Sequence, residues 1–338
     1  MGRAGVASSP PVRRRRNQVG GRCVPVTIRD EREPKVMMET IEWASGLRFP
    51  EGPIWFPDNS VVLVEIARGT LTRVSADGDV DIMAHLGGGP NGAAVGPDGR
   101  IYVCNNGGFV WSEVNGMMVP GEQPADYAGG SIQRVDLRTG EIDTLYDACN
   151  GIPLKGPNDL VFDTTGGFWF TDHGKIRPRD RDRGGLYYAR ADGSEIREMV
   201  YPLDAPNGVG LSPAGDTLYV AETHQGRLYQ WALSGPGQIA GYMGPQHRGT
   251  VLADPEGGPL FDSLAVDAYG NICVATIRHG GITVVTPDGM HHHRPFPDPL
   301  TTNICFGGSD LCTAFVTLSG TGRLVSRRWD TPGLRLAF

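Results

Sequence analysis

Along most of the chain apolar residues alternate with polar or small ones in short runs, and Asp, Gly, Asn and Pro cut each run off. Alternation with a period of two, punctuated in this way, predicts β-strands joined by tight turns rather than helices. The pattern also repeats. Six segments share a polar first residue, an alternating apolar stretch, a turn and a strongly β-prone run: 51-EGPIWFPDNSVVLVE-65, 91-NGAAVGPDGRIYVCN-105, 158-NDLVFDTTGGFWFTD-172, 207-NGVGLSPAGDTLYVAE-222, 262-DSLAVDAYGNICVAT-276 and 303-NICFGGSDLCTAFVT-317. Each reads as a β-hairpin, its turn supplied by stretches such as PDG, TGG or AYGN. A second strand pair follows every hairpin, opened by glycine, as in 69-GTLTRVSADG-78, 185-GLYYARADG-193 and 281-GITVVTPDG-289. Four strands repeated six times predict an all-β fold, a six-bladed β-propeller with four-stranded antiparallel blades.

The polar first residues are spaced by 40, 67, 49, 55 and 41 positions, which places insertions in blades two, four and five. The run 109-FVWSEVNGMMVPGEQPADYAGG-130 is the largest and is expected to form a loop over one face. A strand within residues 35–47 is expected to close the ring by pairing with blade six, because an open ring leaves unpaired edges.

Composition agrees with this reading. The 338 residues include 49 Gly and 26 Pro, and 20% are charged, which is poor material for long helices. The net charge of −7 comes with basic residues scattered after the N-terminal region, so there is no footprint for nucleic acid or an anionic membrane, and small molecules are the expected partners. No run is long and apolar enough for a membrane span, and the N-terminus has no apolar secretory core, so a cytoplasmic location is expected. Cys23, Cys104, Cys149, Cys273, Cys305 and Cys312 form no CxxC pair and sit mostly in strand-like runs, and are read as reduced core residues. Residues 1–36 carry Arg13–Arg16 and no periodicity and are expected to be a disordered extension, with 37–338 forming the propeller.

In a propeller the first strand of each blade faces the axis, so the six opening residues converge at one end of a central tunnel. Here they are Glu51, Asn91, Asn158, Asn207, Asp262 and Asn303, all oxygen-bearing. Any one of them is also an ordinary turn former; their coincidence at one position of the repeat suits a hard divalent cation.

The stretches 49-FPEGPIW-55, 157-PNDLVFDTTGGFWFTD-172, 206-PNGVGLSPAGDTLYVAET-223 and 261-FDSLAVDAYGNICVA-275 resemble the regucalcin/gluconolactonase (senescence marker protein) family, to which diisopropyl fluorophosphatase is related. The resemblance runs from about Trp43 to Leu336. It implies one divalent ion held by Glu51, Asn158, Asn207 and Asp262, with calcium expected and zinc, magnesium, manganese or iron(II) as alternatives, and hydrolysis of a small lactone or ester. The basic substrate-binding residue of animal regucalcins falls at Gly89, so their substrate preference does not carry over. The second calcium of the fluorophosphatase would need ligands at Ala265 and Cys305, so one metal is expected.

Asp262 is the candidate proton acceptor, and Asn91 and His173 are the candidate substrate contacts at the tunnel mouth; His224 and Arg278 follow blade ends and are placed similarly. His291–His293 read as an outer strand at the surface. No GxSxG elbow is present, and Ser131 has no patterned histidine partner, which disfavours a serine nucleophile. Two other readings stand beside the lactonase: a phosphotriesterase or aryl esterase using the same metal, and a non-catalytic binding scaffold.

Overall fold

Strands buried on both faces need apolar residues throughout, whereas strands at a rim need them on one face only. The second strand of every blade is of the first kind: Val61–Glu65, Ile101–Asn105, Gly167–Asp172, Thr217–Glu222, Ile272–Ile277 and Thr313–Leu318 are almost wholly buried. The outermost strands Val80–His85 and His291–Pro295 are largely exposed, which puts the histidine run at the surface as expected. The computed structural model describes residues 1–2 and 39–338, and every regular element in them is a strand. The expected N-terminal extension falls, apart from residues 1–2, outside the described residues.

Six antiparallel sheets of at least four strands follow one another, and their first strands neighbour each other in a closed ring, so the chain is a six-bladed propeller. The first strands are Pro50–Trp55, Pro90–Val95, Pro157–Phe162, Pro206–Leu211, Leu260–Val266 and Thr301–Gly307. The N-terminal strand Thr40–Ala44 pairs with Arg323–Arg328 as the outer strand of blade six, so the last blade is built from both ends of the propeller. Trp43 seals the junction, its Nε1 donating to Ser326 Oγ at 2.8 Å and its ring standing edge-on to Phe315 at 4.7 Å.

The core lies between blades. Val62, Val64 and Leu71 of blade one pack with Ile101, Val103 and Val135 of blade two. Trp169 and Tyr188 of blade three pack with Val209, Leu218 and Val220 of blade four. Each such side chain contributes roughly 1.5–3 kcal/mol on burial, which fixes the angular position of every blade.

Three expectations about elements need correction or extension. Blade five has four strands and no insertion; the extra residues belong to blade three, in the segment 173–183 between its second and third strands. The 109–130 run is not only a loop but contains a hairpin, Trp111–Val114 with Met117–Pro120, turning on Asn115 and Gly116, both with positive φ. Blade four carries two outer strands, Gln238–Ile239 and Thr250–Ala253, on its third strand. Cys104, Cys149 and Cys273 are buried and free, Cys305 and Cys312 are free and half-buried, and Cys23 lies outside the described residues.

Candidate active site

The first strands deliver their opening residues to one place by a device repeated round the ring. Pro50, Pro90, Pro157 and Pro206 start four of them, where a missing N–H costs least. Immediately afterwards the pairing with the second strand slips in every blade, between Glu51 and Ile54, Pro90 and Ala93, Pro157 and Leu160, Pro206 and Val209, Phe261 and Leu264, and Thr301 and Asn303. A bulge at this point re-aims the opening residues, which lie inside it or at its edge.

A polar residue closing the second strand then grips the connection that leads into the bulge. Glu65 accepts from Arg48 N at 2.7 Å, Asn105 from Gly89 N at 2.8 Å and Glu222 from Asp204 N at 2.7 Å; Asp172 accepts from Lys155 N and Gly156 N, both at 2.7 Å. These clamps end the runs VVLVE, IYVCN, LYVAE and FWFTD, where their polar last letter is visible in sequence although its task is not.

Glu51, Asn91, Asn158, Asn207 and Asn303 are buried and Asp262 is half-buried. Asn303 Nδ2 donates to Glu51 Oε2 at 2.6 Å, and Asn207 Nδ2 donates to Asp262 Oδ1 and, at 3.2 Å, to Thr223 Oγ1. The structure adds a third carboxylate that the sequence reading passed over. Asp159 follows Asn158 where blades one, two and four carry glycine, and it is buried, its Oδ1 accepting from Leu160 N at 2.9 Å. Its room comes from Gly92 on the adjacent strand, since a Cβ there would lie 2.7 Å from Asp159 Oδ1.

The three carboxyls feel one another. Burial, opposed by the bond from Asn303, pushes Glu51 up to about 7; burial and the charge of Glu51 push Asp159 up to about 8. Asp262 is raised well above the usual carboxylate range by burial, then by Glu51 and Asp159, with Asn207 opposing. Asn158 Oδ1 is a buried acceptor with no donor in the protein. Three mutually repelling carboxyls beside an orphaned amide oxygen make a donor set that fits a hard divalent cation. Among the described residues no three acidic, histidine or cysteine side chains are placed to hold a metal ion by themselves.

Because second strands run back toward the opening residues, the loops after them lie on the same face. His173 sits there, its backbone N–H on Gly156 O at 2.9 Å and its ring 5.8 Å from that of His224. Burial, then the neighbouring His224 and Lys175, lowers it to about 3, so it is a neutral imidazole, and its Nδ1 is buried without a partner. His224 is engaged by Asp204 Oδ1 at 3.3 Å, and Asp204 also receives Arg181 at 3.0 Å. Arg278 is exposed. The blade-two insertion spans the same face: Met118 N donates to Gly320 O of blade six at 2.9 Å, and Gln123 N to Ile176 O of blade three at 2.8 Å.

Fold and ring together define a six-bladed propeller with an acidic, oxygen-lined site at one end of its first strands. The chain belongs to the SMP-30/gluconolactonase/LRE-like family, whose model matches residues 49–320. It is 25% identical over 289 residues to a gluconolactonase of Zymomonas mobilis, covering 78% of this chain and 74% of that protein. It is 27% identical over 272 residues to the lactonase drp35 of Staphylococcus saprophyticus, covering 78% and 75%. Among solved structures the fold matches a gluconolactonase of Xanthomonas campestris (TM-score 0.67, 24% identity, 87% of this chain and 89% of that one). It also matches a calcium-binding regucalcin of Agrobacterium tumefaciens (TM-score 0.65, 19% identity, 86% and 95%).

Proposed function

We propose that the chain is a metal-dependent hydrolase that opens a small lactone, of the sugar-lactone kind, in the central tunnel, with Glu51, Asn158, Asn207 and Asp262 holding one divalent cation. The observation that carries this reading is the orphaned Asn158 Oδ1 beside carboxyls that only protons or a cation can keep buried. The gluconolactonase and lactonase relatives support the substrate class, and the calcium-binding neighbour supports calcium ahead of zinc, magnesium, manganese or iron(II).

A bound divalent ion supplies a Lewis-acidic centre for polarising an ester carbonyl. Asp262 takes the proton of the attacking water. It is the least buried of the three carboxyls, so water reaches it, and a carboxylate beside the reacting centre can take a proton from water. The amide of Asn207 fixes the orientation of the Asp262 carboxyl. Asn91 and His173 orient the substrate, the neutral imidazole of His173 offering a lone pair to a substrate hydroxyl. A turnover screen with added divalent ions, covering aldonolactones, aryl esters and phosphotriesters, tests the substrate class. The expected result is preferential opening of aldonolactones; hydrolysis of phosphotriesters with no lactone turnover would overturn it.

A further inference from the structure

Asn106 is the first residue beyond the strand Ile101–Asn105, and its N–H donates to Gly89 O at 2.8 Å, so it stands across from Gly89. Its side-chain Oδ1 accepts from Gly108 N at 2.8 Å, which settles which end of the amide is oxygen. The other end, Nδ2, is buried and has no acceptor in the protein, although the residue is only 3% exposed. A buried donor left unpaired is costly and calls for a function.

Its place indicates what that function is. Gly89 lies in the connection two residues before Asn91, and a Cβ built on it would come within 2.3 Å of Asn106 Oδ1, so the Asn106 side chain packs against the connection that leads into Asn91. The loop carrying it is held rigidly. Lys175, almost fully buried, donates from Nζ to Asn106 O at 3.0 Å and to Gly108 O at 2.5 Å, with the ring of Phe109 at 4.1 Å and that of Tyr127 at 5.5 Å. A clamped loop and a nearby ammonium make the surroundings of Nδ2 favourable to an electron-rich oxygen.

We propose that Asn106 is a specificity-determining residue whose Nδ2 donates to a hydroxyl oxygen of a neutral, polyhydroxylated lactone seated against Asn91. Lys175 is its positioning residue. The proposal rests on the lactone-hydrolase reading and adds the kind of lactone selected. A site built to bond a hydroxyl discriminates strongly against an analogue without one.

The experiment compares glucono-δ-lactone with δ-valerolactone, which has the same ring and no hydroxyls, on the metal-loaded full chain and on the variants Asn106→Asp and Asn106→Ala. Asn106→Asp retains the acceptor for Gly108 N and removes the donor, so it separates loss of the donor from collapse of the loop. The ratio of kcat/KM for glucono-δ-lactone over δ-valerolactone is expected to fall about 10- to 100-fold in both variants, the rate equivalent of one unpaired buried hydrogen bond. An unchanged ratio in either variant, whatever happens to the absolute rates, would overturn the proposal. Wild-type protein that opens neither lactone would instead refute the hydrolase reading itself, and the proposal with it.

Discussion

Glu51 and Asp262 both bring a carboxylate to the ring, yet only Asp262 is also assigned a proton transfer, and the two amide variants should therefore part company. Gln and Asn keep a carbonyl oxygen for a cation but lose the charge that holds it tightly. Glu51→Gln is expected to regain much of its rate as metal is raised. Asp262→Asn is expected to stay about 10²–10⁴-fold down in kcat at saturating metal, because a general base has been removed. Near wild-type kcat for Asp262→Asn would make that residue a ligand only. The opening residues of the blades were legible in sequence because an oxygen-bearing side chain, Asn, Asp or Glu, recurs at one place in the repeat. Asp159 was not, since Asn-Asp reads as turn chemistry like the Asn-Gly of other blades, and only the fold shows its carboxyl taking the room left by Gly92. Asn106 was hidden for a related reason: in the pair Asn105–Asn106 nothing in the letters says that one clamps backbone while the other is left with a free donor.

Ring closure rests on the strand Thr40–Ala44, which brings the two ends of the propeller into one sheet. Trp43 couples that strand to blade six through Ser326 and Phe315. Trp43→Ala is expected to lower stability by about 2–3 kcal/mol in urea unfolding, somewhat under the usual cost of a fully buried aromatic because Trp43 is only half-buried. An effect within about 0.5 kcal/mol would mean that the closing strand contributes little. Strand periodicity and spacing disclosed the six blades and the closing strand, but spacing alone assigned one insertion to the wrong blade. The additional residues of blade three, 173–183, hold charges and a proline rather than an alternating run, so no strand pattern marks where they belong. The hairpin in blade two does carry a signal in Asn115–Gly116, the strongest short-range turn signature, but its two strands of four residues each are too short for the alternation to show.

Across the whole molecule, the buried carboxyls tie stability to pH in a direction that metal should reverse. With folded values of about 7 for Glu51 and about 8 for Asp159, against roughly 4 in the unfolded chain, the metal-free protein holds protons that the unfolded chain has released. This contribution to stability is present in full at low pH and is lost as pH rises from about 4 to 8. The gap in melting temperature between metal-loaded and chelated protein is therefore expected to widen from pH 5.5 to pH 8; a gap that stays constant would mean that the carboxyls do not bear on the cation. A ligand that binds only the folded state adds about 2.7 kcal/mol at a hundredfold excess over its Kd, and a site assembled from separate blades passes that gain to the whole ring. The most direct measurement is a parallel assay of melting temperature and glucono-δ-lactone hydrolysis at pH 8 in protein stripped by a chelator and then resupplied with calcium or another divalent ion. The account predicts that stripping abolishes turnover and lowers the melting temperature, and that one divalent ion restores both together. Full turnover by the metal-free protein would contradict it.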